Sequence, residues 1–262
     1  MKKMRMRKRH NLAPRMEKCA ELLIEDTTKY CNDVNEDAQW LSKFPGYKEL
    51  HLELGCGKGR FTVDTAEQNP ETMFIAIEKV ADAMILALER VQKRELNNVR
   101  FINGDAAKLL EMFSNKGELD RIYINFCDPW PKSRDAKFRL TAARFLRMYA
   151  TVLKPGGQIH FKTDNTPLFD WSTEQFKSEN WELSEYTHDL HENGPVGVMT
   201  DYEAKFYAEG LKINRLVATK TANTFDVSAG PVPRMHDAAL TDAKGYADSR
   251  AAHDSKPDPK ED

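Results

Sequence analysis

One proline-containing segment limits the fold of this chain more than any other feature. It reads Asn125-Phe126-Cys127-Asp128-Pro129-Trp130-Pro131-Lys132 and follows the apolar run Arg121-Ile122-Tyr123-Ile124. The apolar run predicts a buried strand, which the prolines must end. The carboxylate of Asp128 is therefore expected at the carboxyl end of a strand, the edge at which open α/β sheets bind ligands. Beside it, Trp130 offers a flat face for a nucleobase and Lys132 offers a cation for a phosphate.

A glycine-rich turn follows an earlier strand, Glu49–Leu54. The turn reads Gly55-Cys56-Gly57-Lys58-Gly59, and a helix is predicted after it over residues 60–68. The glycines Gly55, Gly57 and Gly59 let the backbone approach a ligand closely. Dinucleotide-binding folds use a similar turn, but here Arg60 stands where their third glycine belongs. Glu53 would repel a pyrophosphate and suits a cationic amino group, so the pattern favours S-adenosylmethionine as the ligand.

Acidic residues also end the next two predicted strands. The strand over residues 73–77 ends at Glu78, roughly 20 residues after the glycine turn, where a ribose hydroxyl is expected to bind. The strand over residues 99–102 leads to Asp105, which is suited to the amino group of adenine. A helix cap or a solvated loop would explain any one of these acids. Together with Glu53 and Asp128 they end four successive strands, which indicates one ligand-binding edge.

The remaining periodicities complete an α/β pattern. Helices are predicted over residues 80–96, 141–153, 168–176 and 202–211, and strands over residues 158–161, 181–186 and 213–218. Strands that alternate with helices predict a doubly wound, mostly parallel sheet, here of seven strands. The last two strands are joined differently, and we expect them to add an antiparallel edge strand.

Over roughly residues 5–218 the chain resembles the bacterial tRNA (guanine-N7)-methyltransferases. The motifs that carry the resemblance are Leu52-Glu53-Leu54-Gly55-Cys56-Gly57-Lys58-Gly59, Ile77-Glu78, Gly104-Asp105-Ala106, Asp128-Pro129-Trp130-Pro131-Lys132, Phe161-Lys162-Thr163-Asp164 and Thr200-Asp201-Tyr202-Glu203. Many methyltransferases share the glycine turn. The Asp-Pro-Trp-Pro-Lys and Thr-x-Tyr-Glu segments, in this order, are far more selective.

The resemblance implies a Rossmann-like class I methyltransferase that transfers a methyl group from S-adenosylmethionine to N7 of guanine 46 in the tRNA variable loop. It implies that Asp128 is catalytic and that the donor is bound by Glu53, Glu78, Asp105 and Asp128. It implies substrate contacts from Lys132, Asp164, Thr200, Asp201, Tyr202 and Glu203. The resemblance further implies that the partner is tRNA and that no obligatory protein partner is needed. The enzyme would be a monomer or a homodimer.

Two of these segments have a second interpretation. Lys132, Arg134, Lys137 and Arg139 are expected to contact phosphates that flank the target guanine, although such a cluster also fits a solvated helix start. Related enzymes usually have a histidine and a further arginine here, where this chain has Asp135 and Phe138. Thr200 and Glu203 likewise match a helix capping box as well as a guanine pocket.

Charge is distributed unevenly along the chain. The net charge is −2, but residues 1–18 contain eight Lys or Arg and one Glu, so the rest is acidic. A basic arm on an acidic body suits a polyanionic partner, although a solubilising terminus would look the same. Residues 221–262 are rich in Ala, Asp, Ser and Pro and predict disorder. The expected division is a basic arm over 1–18, a methyltransferase domain over 19–220 and a disordered tail over 221–262.

The chain shows no signal for a membrane or a metal. No segment approaches the roughly 18 apolar residues of a membrane span, and no apolar stretch follows the basic start. The four cysteines lack metal-site spacing and indicate reduced thiols in the cytoplasm. His188 and His191 are three residues apart, but a loop or strand end explains them better than a metal site, so we expect no metal.

Three other functions remain open from the residues alone. An amino-methyltransferase also places an acidic or amide residue before proline and an aromatic residue, but normally with two consecutive prolines. A non-catalytic protein could bind RNA or a partner through the same fold, although it would not need all four carboxylates. A nicotinamide dehydrogenase fits least, because the glycine spacing differs and no catalytic His or Tyr–Lys set is present.

Overall fold

The computed structural model describes residues 9–31, 39–113 and 117–230, and one sheet organises them. Its strands are β1 (Glu49–Leu54), β2 (Thr72–Glu78), β3 (Val99–Asn103), β4 (Leu119–Asn125), β5 (Leu153–Thr163), β6 (Glu182–Thr187) and β7 (Asn214–Thr219). The strand order is β3-β2-β1-β4-β5-β7-β6. Strands β1 to β5 pair in parallel, and β7 runs antiparallel between β5 and the edge strand β6. The predicted mostly parallel α/β sheet with antiparallel pairing at one edge is confirmed.

Helices connect the strands and cover the sheet. They are α1 (Leu12–Lys18), α2 (Thr28–Cys31), α3 (Gln39–Ser42), α4 (Arg60–Gln68), α5 (Ala81–Lys93), α6 (Leu109–Met112), α7 (Ala143–Val152), α8 (Thr166–Ser178) and α9 (Asp201–Ala208). Short 3-10 turns lie at Ala20–Leu22, Ala106–Lys108, Ser133–Phe138 and Val227–Ala229. Among the described residues no helix is long and apolar enough to cross a membrane.

The predicted helices and strands are present with small shifts of their boundaries, and the largest shift is that of β5. Residues 154–157 were predicted to end a helix in a turn, but β5 already begins at Leu153, which pairs with Leu119 of β4. Gly156 adopts a left-handed φ of 77° within this stretch. The pairing register between β4 and β5 shifts just after Leu119. The local turn signal was therefore correct, but it lies inside a strand pairing that no local signal reveals.

Apolar side chains on both faces of the sheet explain why its central strands have continuous hydrophobic sequences. One face carries Leu50, Leu52 and Leu54 of β1 in a core that includes Phe145 of α7. On the other face Phe74 of β2 packs in a second core, formed largely with residues of α4 and α5. Each central strand is thus buried on both sides, as expected for a doubly wound sheet.

The parallel register brings the carboxyl ends of the central strands level with one another. Leu54 of β1 lies opposite Ile77 of β2 and Ile124 of β4. Ile77 in turn lies opposite Ile102 of β3. The residues that follow these strands therefore meet at one edge of the sheet, as the positions of the four acids predicted.

The described parts of both termini pack against the domain. In α1, Arg15 forms an ion pair with Glu89 of α5, with 2.6 Å between Nη2 and Oε2. Residues 1–8, which hold five of the eight Lys and Arg residues of the predicted basic arm, lie outside the described residues. At the other end, the amide of Phe225 donates to the carbonyl of Glu179 at 3.1 Å, and Arg147 donates to the carbonyl of Gly230 at 2.6 Å.

These last contacts place residues 221–230 against α7 and α8 and not in a disordered tail. Their composition gave no sign of this, because polar contacts to backbone atoms hold the segment. Residues 231–262, the remainder of the predicted tail, lie outside the described residues. The division of the chain into arm, domain and tail stays a prediction.

Candidate active site at the carboxyl edge of the sheet

The three glycines after β1 have two different structural roles. Gly55, Gly57 and Gly59 all adopt left-handed φ angles, of 77°, 57° and 79°. A Cβ atom added to Gly55 or Gly57 would meet nothing within 4 Å, so open space lies beside the turn. A Cβ atom on Gly59 would lie 2.3 Å from the Cβ of Ala87 in α5. Gly55 and Gly57 thus leave room for a ligand, whereas Gly59, predicted to bind the donor, lets α4 and α5 approach each other.

Glu53 lies beneath this turn and is only 2% exposed. The hydroxyl of Thr62 donates to its Oε2, and the amide of Asn125 donates to its Oε1 at 3.1 Å. Burial raises the pKa of Glu53, and these hydrogen bonds oppose that shift. The predicted contact with a ligand amino group would have to reach a carboxylate that is almost completely buried. In the structure Glu53 links β1 to α4 and β4.

Glu78 and Asp105 lie at the ends of the neighbouring strands and organise the backbone there. Glu78 accepts hydrogen bonds from the amides of Gly57 at 2.9 Å and Val80 at 2.8 Å. Asp105 accepts from the amide of Ala107 at 3.0 Å. Its other oxygen lies 2.6 Å from the ammonium of Lys79, and this hydrogen bond lowers the pKa of Asp105. Both acids flank the open space beside the glycine turn, where they were predicted to bind ribose and adenine.

The segment after β4 turns sharply and leaves Asp128 exposed. Phe126 and Trp130 have left-handed φ angles of 53° and 44°, which are uncommon for bulky residues. The amide of Phe126 donates to the carbonyl of Lys162 at 2.9 Å, so the β4–β5 pairing continues up to the turn. The turn therefore begins immediately after the sheet and holds Asp128 at its edge.

Arg139 lies inside the protein and stabilises this turn through its backbone. It was predicted to contact RNA, but it is fully buried. Its Nε donates to the carbonyl of Pro129 at 3.0 Å, and its Nη2 donates to the carbonyl of Trp130 at 3.0 Å. The guanidinium carbon lies 4.3 Å from the ring centroid of Trp171 in α8. These contacts occupy Arg139 inside the protein and correct the prediction that it binds phosphate.

The other predicted RNA contacts of this segment lie at the surface. Lys132, Arg134 and Lys137 are exposed. The side chain of Arg134 is 76% accessible, and its Nε lies 3.9 Å from a carboxylate oxygen of Asp135. These three cations can therefore reach a phosphate group without rearrangement of the core.

The Thr200–Glu203 segment begins α9 with a complete capping box. The amide of Glu203 donates to the hydroxyl of Thr200 at 2.9 Å, and the carboxylate of Glu203 accepts from the amide of Thr200 at 3.2 Å. Glu203 is fully buried. Its two oxygens lie 2.6 Å from Nζ of Lys162 and 3.1 Å from Nε2 of His191. This placement is at odds with the predicted guanine contact of Glu203, because its side chain is fully buried and a base could reach it only after rearrangement of the protein.

Lys162 joins this buried network to the loop before α9 and to α4. Its ammonium also donates to the carbonyl of Val198 at 3.1 Å and lies 5.1 Å from the ring centroid of Phe61. Burial lowers the pKa of Lys162, and the carboxylate of Glu203 opposes that shift. The network thus fixes the loop between β6 and α9 against the sheet near the glycine turn.

The start of α9 is also tied directly to the glycine turn. Arg90 of α5 lies 2.9 Å from a carboxylate oxygen of Asp201 and donates to the carbonyl of Lys58 at 3.0 Å. Tyr202, the next residue, is exposed. Asp164 lies just after β5 and is partly exposed. The predicted substrate residues are thus split between a surface group, with Lys132, Asp164 and Tyr202, and a supporting group, with Asp201 and Glu203.

The sequence-based predictions missed the buried polar residues that support the site. They are Thr62, Asn125, Lys162 and His191, and the partly exposed Arg90 was missed as well. Lys162 gave the clearest signal, because a cation inside a strand that is otherwise buried requires a partner. His191, three residues after His188, binds Glu203 through Nε2 at 3.1 Å. No group of three or more His, Cys, Asp or Glu side chains in residues 9–31, 39–113 and 117–230 could hold a metal ion.

Comparison with known proteins places the chain among methyltransferases. Residues 47–216 match a family model described as putative methyltransferase. A tRNA (guanine-N(7)-)-methyltransferase of Clostridioides difficile (strain 630) is 42% identical over 213 residues, which cover 79% of this chain and 98% of the relative. The enzyme of the same description from Brevibacillus brevis is 42% identical over 199 residues, or 75% of this chain and 92% of the relative.

Solved structures support the fold at much lower sequence identity. A structure described as an antibiotic related methyltransferase superposes with a TM-score of 0.53 at 17% identity, covering 74% of this chain and 98% of that one. The 16S rRNA methyltransferase KamB superposes with a TM-score of 0.53 at 16% identity, covering 72% and 96%. These similarities concern the arrangement of the sheet and its helices.

Replacement of Arg139 by Met separates its support of the turn from a role in RNA binding. Loss of the hydrogen bonds leaves the carbonyls of Pro129 and Trp130 unpaired, which should lower the free energy of unfolding by about 2 kcal/mol. The slope of log K against log salt for tRNA binding should stay unchanged, because Arg139 neutralises no phosphate. Urea unfolding and binding titrations at several salt concentrations measure both effects.

The exposed Lys137 provides the matched control. Lys137→Met should leave stability within about 0.5 kcal/mol and reduce the salt slope by about 1 if Lys137 contacts a phosphate. A reduced salt slope in Arg139→Met, without loss of stability, would contradict the structural assignment.

The buried pair of Lys162 and Glu203 should behave as a unit. Glu203→Gln leaves a buried ammonium without its counter-charge, so the free energy of unfolding should fall by about 3–5 kcal/mol. Addition of Lys162→Met should recover a large part of that loss, because the uncompensated charge is removed as well. Urea denaturation of the two single variants and the double variant measures the coupling. The exposed pair Glu174 and Lys177 is the control, since Glu174→Gln should change stability by less than about 1 kcal/mol.

Proposed function

This chain belongs to the tRNA (guanine-N7)-methyltransferase family, and we propose that it methylates N7 of guanine 46 in the tRNA variable loop, with S-adenosylmethionine as the methyl donor. The observation that carries this proposal is the position of Asp128. It is exposed at the end of β4, next to β1 and its glycine turn, because Leu54 and Ile124 are paired neighbours. A target base held by Asp128 would therefore lie beside the donor site.

The residues at the edge fit the methyl donor. The open space beside Gly55 and Gly57 admits a ligand close to the backbone, Glu78 stands where a ribose hydroxyl can be bound, and Asp105 is accessible to an adenine amino group. When bound, S-adenosylmethionine supplies a methyl group that is already activated for transfer by its sulfonium. The main task of these residues is then to orient the reacting groups, a contribution that can amount to several kcal/mol.

Asp128 acts by holding the guanine and not as a general base. Guanine N7 carries a free lone pair and no proton, so no proton has to be removed before attack. The carboxylate of Asp128 accepts hydrogen bonds from N1 and the exocyclic amine of the base. Its negative charge also stabilises the positive charge that develops on the ring. Asp164, just after β5, and Tyr202, in the first turn of α9, lie at the surface and complete the guanine pocket.

Recognition of the RNA rests on the exposed residues after the turn. The target base must leave its tertiary contacts in tRNA to reach Asp128, as in other enzymes that modify bases. Lys132, Arg134 and Lys137 then bind phosphates that flank the base, whereas the buried Arg139 positions the turn. The basic residues within 1–18 add positive charge to this part of the chain, which suits a polyanionic partner. We assign the protein to the cytoplasm, where tRNA is found, and to catalysis without a metal.

Methylation of unmodified tRNA transcripts tests the proposed function. Labelled S-adenosylmethionine should give 7-methylguanosine on nucleoside analysis, and replacement of guanine 46 by adenosine should abolish the product. Product formed from the substituted transcript would move the target to another guanine. Donor binding without any 7-methylguanosine would reject the proposal in favour of an amino-methyltransferase or a binding protein.

Asp128→Asn should separate donor binding from methyl transfer. The amide keeps the size of the side chain but loses the charge that stabilises the developing cation, so the single-turnover rate should fall by about 100-fold. Affinity for S-adenosylhomocysteine, measured by calorimetry, should change little. The control is Asp170→Asn on the exposed face of α8, for which both values should equal those of the unmodified enzyme. A large loss of S-adenosylhomocysteine affinity in Asp128→Asn would contradict this role.

A further inference from the structure

Two aromatic side chains lie together at the surface next to the candidate active site. The ring centroids of Trp130 and Phe138 are 5.2 Å apart, with 49° between the ring planes. Phe138 is 42% exposed, and Trp130 is partly exposed. We call this pair the aromatic platform. It begins two residues after Asp128 and therefore lies at the same edge of the sheet.

The aromatic platform is held in place by buried neighbours. Phe138 ends the 3-10 turn Ser133–Phe138, in which Ala136 is fully buried. Arg139, the next residue, is also fully buried and binds the carbonyl of Trp130. Phe138 is thus exposed next to the buried Arg139, which also holds the backbone of Trp130. A rigid apolar face costs little conformational entropy when a ligand binds to it.

Exposed cations around the platform determine the kind of ligand that it suits. Nζ of Lys137 lies 5.2 Å from the ring centroid of Phe138, and Lys132 and Arg134 are exposed in the same segment. A protein partner or a lipid tail would gain little from a flat ring surrounded by positive charge. An unstacked nucleobase with its phosphates would use both features, since bases stack on aromatic side chains while cations bind the backbone.

We propose that the aromatic platform stacks the nucleobase next to the target guanine and so forms a second RNA subsite of the enzyme. This inference rests on the proposed function, because it requires a guanine extruded towards Asp128. Extrusion breaks the stacking of the neighbouring nucleotide, and Phe138 replaces the lost stacking partner. Stacking on the platform contributes RNA affinity that depends little on salt. This contribution matters here because Asp135 reduces the positive charge of the same segment.

A comparison of protein variants with abasic RNAs tests the subsite directly. Phe138→Ala should raise the Kd for intact tRNA roughly 5- to 100-fold, the loss expected for one stacked base. Two abasic tRNAs are compared, one without the base 5′ of guanine 46 and one without the base 3′ of it. On the one that lacks the stacked base, Phe138→Ala should leave the Kd unchanged. Binding of unmodified protein to that transcript should be weakened by a similar factor. Fluorescence anisotropy of labelled transcripts measures all of these affinities.

Two further variants distinguish stacking from apolar bulk and from a general loss of structure. Phe138→Leu keeps an apolar side chain without a π face and should bind intact tRNA nearly as weakly as Phe138→Ala. Phe225→Ala removes a phenylalanine that is similarly exposed, at 39%, but lies against Arg147 away from this edge, and should bind like the unmodified protein. Wild-type affinity in Phe138→Leu, or equal losses for Phe138→Ala on intact and on both abasic transcripts, would overturn the proposal.

Failure of the subsite and failure of the proposed function give different results. If the enzyme does not methylate guanine N7, unmodified protein forms no 7-methylguanosine on intact transcripts. If only the subsite is wrong, unmodified protein forms the product and Phe138→Ala binds intact tRNA with unchanged affinity.

Discussion

The buried ion pair between Lys162 and Glu203 connects the parts of the candidate site that the chain brings from distant positions. It joins β5 to the first turn of α9, and His191 and Val198 attach the preceding loop to the same pair. Charges in such an environment are stable only when each has its partner, because removal from water is costly for both. The arrangement of Asp164, at the end of β5, relative to Tyr202, in α9, therefore depends on an interaction buried inside the protein.

The same division between supporting and exposed residues recurs along the whole edge. Glu53 and Glu78 are buried beside the glycine turn, where Glu53 binds Thr62 and Asn125, while Asp105 is partly exposed. Arg139 lies under the proline-containing turn, while Asp128 stands on it. Reacting groups must be held within a fraction of an ångström of their productive positions, which requires supporting residues that are themselves fixed by packing and hydrogen bonds. Buried polar groups provide that support here.

The sequence predicted the fold well because the fold depends on burial. Strands buried on two faces must be apolar throughout, so apolar runs were sufficient to locate the strands. Parallel strands end at a common edge, so the acids that follow these runs were expected to meet there. The direction of individual polar side chains was not predictable in this way. Lys137 and Arg139 lie two residues apart in one basic segment, yet one is exposed and the other is fully buried. The carbonyls of Pro129 and Trp130 and the ring of Trp171, which the fold brings close to Arg139, distinguish them.

The buried positions of Arg139 and Lys162 change the electrostatic description of RNA recognition. A count of basic residues near the site overstates the number that can displace counterions from a phosphate backbone, because a buried cation displaces none. Arg15 in the N-terminal region is likewise paired with Glu89. In a chain with a net charge of −2, fewer exposed cations leave a larger share of the affinity to contacts that salt does not screen. In the segment after Asp128, the proposed stacking on Trp130 and Phe138 is a contact that salt does not screen. Shape and aromatic surface, more than charge, would then select the nucleotide beside the target guanine.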